Sequence, residues 1–169
     1  MKTIMKPLGI IASVIALSGT AKSVFAEEGT FESVGSLLLV MRSIQMDGEV
    51  ASTGFGEGAL HIISSSGKPF GDIAAMPLTC VVYSKSSNGA FNLESNCEAA
   101  ASSDDKFFLV GKRSRDDAGP SGGGEGHVSI IGGQGIFEGI SGQCDYAVQY
   151  HAVNASISTF EAGCFWGID

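Results

Sequence analysis

The sequence predicts an all-β domain: a closed antiparallel barrel of about eight strands, with a β-sandwich as the alternative. Three observations carry that reading. Beyond residue 26 no stretch sustains a helical period of apolar residues. Short β-branched and aromatic runs recur between turn signals, and the 169 residues include 24 glycines but only four prolines. Two pairs of those runs can fold back so that cysteines face each other. The glycines do not fall at every third position, which excludes a collagen-like chain.

Residues 1–26 read as a cleavable secretion signal. Lys2 and Lys6 form a positive start, residues 8–17 (LGIIASVIAL) an apolar run, and Val24-Phe25-Ala26 a cleavage site before Glu27. The apolar run falls well short of the ~20 residues that a membrane-spanning helix needs. No cysteine follows it closely, which disfavours a lipid anchor. Residues 27–169 are then one exported domain, periplasmic or secreted, with no membrane span.

Removing Lys2, Lys6 and Lys22 takes the formal charge from −8 to −8 − 3 = −11. Nucleic-acid binding rests on basic side chains neutralising phosphates. The one basic cluster, Lys112-Arg113-Ser114-Arg115, runs straight into Asp116-Asp117. Nucleic acid and anionic membrane surfaces are both disfavoured as partners.

Residues 34–46 can be a short helix or a strand, and Asp47-Gly48 after them favours a strand entering a hairpin. Residues 56–64 form a second strand, and 65–69 (SSGKP) a turn. Residues 79–85 (TCVVYSK) are a strong strand followed by Asn88-Gly89, whose type I′ turn demands positive φ. The return, 91–97, places Phe91, Leu93 and Cys97 on one face and Asn92, Glu94 and Asn96 on the other. With a two-residue loop, paired positions sum to 177, so Cys80 faces Cys97 at a Cα separation of ~4.5 Å, compatible with a disulfide.

Residues 105–112 form the next strand. Residues 115–126 (RDDAGPSGGGEG) read as a flexible loop open to nicking, and 127–131 as a short strand. In the last section Cys144, Tyr146, Val148 and Tyr150 share one face, as do Ser158, Phe160, Ala162, Cys164 and Trp166. A hairpin centred on Asn154 sets Cys144 against Cys164, although other even sums satisfy the same faces. That second bond gains by elimination once Cys80–Cys97 is accepted. Four cysteines in an exported chain favour disulfides; their wide spacing fits poorly with a zinc site, which uses close pairs.

The segment Gly132–Gly142 (GGQGIFEGISG) invites a phosphate-loop reading, but its third glycine comes one residue late for G-x-G-x-x-G. Tight turns carrying an apolar Ile136-Phe137 plug explain it better. The same segment resembles the "GGTGKFEGITGSG"-like stretch of the allene oxide cyclase barrel-like proteins, many of them small exported bacterial proteins. Residues 64–70 (SSSGKPF) are similar to that family's "SSGGPF" loop. Cys80 to Cys97 followed by 103–109 (SDDKFFL) is similar to its cysteine-bearing hairpin and "DGDKIFL" strand. The resemblance covers roughly residues 56–166. It implies a closed eight-stranded barrel and leaves room for a homo-oligomer, since the plant enzymes can be trimeric. The glutamate and asparagine of the plant cyclase site have no counterpart that can be placed in this chain, so no catalytic position is carried over.

The residues themselves point to no catalytic, metal or cofactor site. His61, His127 and His151 lack ligand spacing, the disulfides leave no spare thiol, and Asp104-Asp105 and Asp116-Asp117 fit no EF-hand loop. The expected function is a structural barrel or one that holds a small lipophilic molecule. Phe91, Leu93, Tyr146, Val148, Phe160 and Trp166 would line the interior, where an eight-stranded barrel has room for side chains or one small ligand. An isomerase or cyclase using the cavity is the alternative; it needs an inward ionisable group, and the inward faces read here offer only tyrosines.

Overall fold

The computed structural model describes residues 26–88, 90–114, 123–151, 154 and 156–169. All but Ala26 of the expected secretion signal, and residues 115–122 of the expected loop, lie outside the described residues. Eight strands follow in order: β1 Glu27–Met46, β2 Glu49–Ser65, β3 Ala75–Ser87, β4 Ala90–Ala100, β5 Lys106–Ser114, β6 Gly124–Gln134, β7 Ile140–Tyr150 and β8 Ile157–Ile168. Each pairs antiparallel with the next, and β8 pairs with β1, so the sheet closes into a barrel. The sandwich alternative is thereby set aside.

Closure carries a fixed stagger. From Phe31, successive cross-strand partners run through Cys164, Cys144, Val128, Gly111, Ser95, Val82 and Gly54, and return to β1 at Met41. The circuit advances 41 − 31 = 10 residues along β1. Strands of such a barrel tilt by ~35–45° from its axis, so residues at one height come from different registers.

Both hairpins that carry cysteines have the expected register. Ser87 pairs with Ala90 and Cys80 with Cys97 across β3–β4, and Asn88 holds φ 48°, as the turn requires. Tyr150 pairs with Ser158 and Cys144 with Cys164 across β7–β8. Both bonds are formed, with Cα separations of 4.1 and 4.0 Å, and they mark an oxidising, extracytoplasmic environment.

The strands outrun the sequence reading at most of their ends, and four of the extensions matter here. β1 starts at Glu27 rather than residue 34, and β2 at Glu49 rather than Gly56. β5 continues two residues past Lys112. β6 begins at Gly124, so the last three residues of the expected 115–126 loop belong to a strand. Gly126 there lies across from Tyr146, and a Cβ on it would come within 2.6 Å of the tyrosine ring.

The interior has two zones. At the end where β1, β3, β5 and β7 begin, five rings form a floor. Phe31, Phe107 and Trp166 come from strands; Phe70 and Phe137 are delivered by 3-10 turns at Phe70–Asp72 and Gly135–Phe137. None of the five is more than 2% exposed. Phe70 is the hub, with ring centroids 4.2 Å from Phe31, 5.3 Å from Phe137, 5.5 Å from Phe107 and 5.7 Å from Trp166. Each buried ring contributes ~1.5–3 kcal/mol through lost apolar surface, so the floor is a main anchor of the fold. The glycine-rich 132–142 segment is indeed a turn with an apolar plug, but only Phe137 plugs; Ile136 is half exposed.

The opposite end is open and uneven. β1 and β2 remain paired as far as Met46 and Glu49, whereas β8 leaves β1 at Leu38. Outward positions such as Asn92, Glu94 and Asn96 on β4 and Gln143, Asp145 and Gln149 on β7 are exposed and polar. No helix among the described residues is long and apolar enough to cross a membrane.

Candidate ligand cavity

Above the aromatic floor the inward side chains become small. Ser33, Ser95, Gly111, Ala162 and the two cystines face the axis at mid-height, and such groups cannot meet across an eight-stranded barrel. A cavity of about 130 Å³ is left. Its lower wall includes Phe31, Leu60, Phe107 and Leu109, its upper wall Leu37, Leu39, Val82, Leu93, Val148 and Phe160. Hairpins β3–β4 and β7–β8 stand on opposite sides of the barrel, so the two disulfides flank the cavity from opposing walls.

Four of the six expected interior residues line this space: Leu93, Tyr146, Val148 and Phe160. Phe91 lies at the rim, its ring centroid 5.5 Å from the guanidinium carbon of Arg113. Trp166 belongs to the floor, fully buried against Phe70. Its height follows from the register, because Trp166 pairs with Gly29, below Phe31.

One important residue was missed. Arg113 turns inward from β5, continues the face of Phe107, Leu109 and Gly111, and is only 4% exposed. Its Nη2 donates to the Tyr150 hydroxyl at 3.5 Å, and its guanidinium carbon lies 5.6 Å from the Tyr150 ring centroid. The expectation that tyrosines are the only ionisable groups inside is therefore corrected. The basic cluster it was assigned to divides by strand alternation: Lys112 points outward, 4.0 Å from Glu94, while Arg113 points in. Extending the period-2 pattern two residues beyond Gly111 leads to it. Burying a guanidinium costs several kcal/mol before its contacts offset it, so this position is not a neutral choice.

The other polar groups facing the cavity are hydroxyls. Ser33 is 1% exposed, and its Oγ has no hydrogen-bond partner among the described residues. Ser158, 3% exposed, is nearer the open end, across from Tyr150. No carboxylate or imidazole lines the space among the described residues. His61, His127 and His151 are exposed on the outer surface. His127 Nδ1 lies 2.7 Å from Asp145 Oδ1, with both side chains more than four-fifths exposed. No group of three potential metal ligands occurs among the described residues.

Asp105, one of the acidic pair read as a loop feature, has a structural task. Its Oδ1 accepts the backbone N–H of Ile136 at 3.0 Å, and Ser102 Oγ donates to its Oδ2 at 2.8 Å. These two donors, the backbone one foremost, hold its carboxyl below the ordinary aspartate value. The clasp ties the β4–β5 loop to the turn that delivers Phe137. On the outer surface near the open end, Lys85 bonds Glu49 at 2.8 Å, which lowers the Glu49 carboxyl and raises the Lys85 ammonium. Asp116 and Asp117 lie outside the described residues.

Chemically, the arrangement can hold an apolar body and offer it hydroxyls at mid-height and a cation near the mouth. No protein-family model matches the chain, and no curated protein matches it.

Proposed function

We propose that this chain is an exported barrel, periplasmic or secreted after loss of residues 1–26, that holds one small hydrophobic molecule in its cavity. The observation that carries this reading is the apolar space of about 130 Å³ above a sealed aromatic floor. Its size sets the ligand. Drug-sized pockets occupy ~300–1,000 Å³, whereas an engineered apolar cavity of ~150 Å³ admits benzene. The occupant is therefore about one ring in bulk, not a long acyl chain.

We also propose kinship with the allene oxide cyclase barrel-like proteins. The closed eight-stranded fold agrees with that resemblance. Its two loop motifs fall at comparable structural tasks, since residues 64–70 and 132–142 deliver Phe70 and Phe137 to the floor.

Native mass spectrometry of the oxidised protein with toluene, indole and naphthalene tests the binding reading. A one-to-one complex with toluene or indole, lost on Val148→Phe, is the expected result. No adduct with any of the three in the wild-type protein refutes it.

A further inference from the structure

We infer that the molecule held in the cavity is a neutral aromatic alcohol of one ring, bound with its hydroxyl inward on Ser33. This inference rests on the binding reading above and adds the chemical class of the ligand and its orientation.

Ser33 lies on β1 two residues above Phe31 of the floor, and it lines the cavity. It is 1% exposed, and its Oγ has no hydrogen-bond partner among the described residues. The sheet around it explains why. Its cross-strand neighbours are Ile62 on β2 and Ala162 on β8. Phe31 and Gly35 precede and follow it on the same face of β1. None of the four has a polar side-chain atom. Buried hydroxyls are ordinarily paired, and one set in an apolar wall offers a donor and an acceptor to whatever fills the space beside it.

Gly35 shapes that space. A Cβ there would collide with the ring of Phe160, its partner on β8. The glycine thus lets the ring lie against the β1 backbone one step above the serine. Ser33 sits in a recess with Phe31 below and Phe160 above. A ring entering from the open end passes Phe160 and brings its leading edge to the hydroxyl.

Charge and size select the class. The lower wall, with Phe31, Leu60, Phe107 and Leu109, is apolar, and an ionised group placed against it would lose its hydration without a counter-charge. The polar group at the inner end of the ligand is therefore neutral. The cavity, about 130 Å³, is slightly smaller than the ~150 Å³ that admits benzene. Beyond one ring it takes at most a substituent of one heavy atom. A hydroxyl meets that limit and can both donate to and accept from Ser33; a carboxamide does not fit.

NMR titrations of the oxidised protein with phenol and toluene test the inference. The two ligands match in heavy-atom count and differ in the hydroxyl. Ser33→Ala is expected to weaken phenol about tenfold, as leaving a buried polar group unpaired does, and to leave toluene unchanged. The ratio of the two affinities reports the hydroxyl and not the fold. In the wild-type protein the para proton of bound phenol should show NOEs to the methyl groups of Leu39 and Val148 on the upper wall, and none to those of Leu60 on the lower. Toluene binding without phenol binding, an equal effect of Ser33→Ala on both ligands, or contact of the para proton with Leu60 would each overturn the aromatic-alcohol inference and leave the cavity reading standing. If neither ligand binds the wild-type protein, both fall. Should Ser33→Ala not fold, the orientation of phenol in the wild-type protein decides alone.

Discussion

Leu39 on β1 lies directly across from Gly56 on β2, and a Cβ added to the glycine would come within 2.8 Å of the leucine Cδ2. The neighbouring pairs repeat the relation: Leu37 faces Gly58 and Met41 faces Gly54. Large side chains on one strand thus occupy the room that glycines on the next leave open. What each glycine would strike differs. Gly56 would push the end of a flexible side chain, whereas Gly58 would meet the Ser36 carbonyl oxygen, which is backbone. Gly58→Ala is therefore expected to cost ~1–3 kcal/mol, as overpacking does. Gly56→Ala should be near neutral, because alanine regains ~0.5–1 kcal/mol of chain entropy over glycine. Urea unfolding of both variants checks the order; equal losses would show that the leucine cannot yield.

The same three pairs explain why half of β2 was invisible in the sequence. Residues 49–55 (EVASTGF) alternate no large apolar groups, since the bulk that fills their side of the barrel comes from β1. A single-strand pattern cannot show volume supplied by a partner. The two cysteine hairpins were legible for the opposite reason: a tight turn and a covalent bond fix register locally, so one addition gives every pair. Leu93, Tyr146, Val148 and Phe160 followed from those registers, whereas Phe91 shares their face but lies at the rim. Arg113 did not, because its charge and basic neighbours outweighed the alternation of Phe107, Leu109 and Gly111. Trp166 lies on the face that the sequence indicates but in the floor, not the cavity, because a face says nothing of height; height needs the ten-residue stagger, which only the closed barrel reveals.

Asp105 links pH to the floor. Its carboxyl is held below the ordinary aspartate value by the Ile136 N–H and Ser102. A folded-state value below the unfolded one gives stability that is present above the unfolded value, near pH 4, and lost as pH falls through the folded value. Asp105→Asn should therefore lower Tm at pH 7, and the deficit should shrink as the pH falls toward 2. Thermal unfolding followed by circular dichroism at both pH values checks this. A deficit that is the same at pH 2 would mean that the charge contributes nothing.

The disulfides should contribute similarly. They close loops with sequence separations of 17 and 20, for which chain entropy gives ~3 kcal/mol each. Replacing Cys80 and Cys97 by alanine, or Cys144 and Cys164, is expected to reduce unfolding free energy by that amount. Removing either pair also widens the cavity at one wall, so indole should gain on toluene as a ligand. Chemical denaturation and a competition titration measure the two effects separately. Loss of stability without any change in ligand preference would place the cystines outside the binding surface.

Ser33 separates stability from binding most sharply. An unpaired buried hydroxyl costs ~1–3 kcal/mol of desolvation, and Ser33 Oγ has no hydrogen-bond partner among the described residues. Ser33→Ala removes that cost and leaves a methyl group facing the apolar cavity, so the variant should be more stable by about 1 kcal/mol. A residue kept at a cost to the fold is what a binding site predicts. The same substitution should weaken a ligand that donates to or accepts from the hydroxyl, and leave toluene unaffected. Urea midpoints and paired titrations with phenol and toluene give the two readouts. A less stable Ser33→Ala would mean that the hydroxyl supports the fold, and would remove Ser33 from the binding argument.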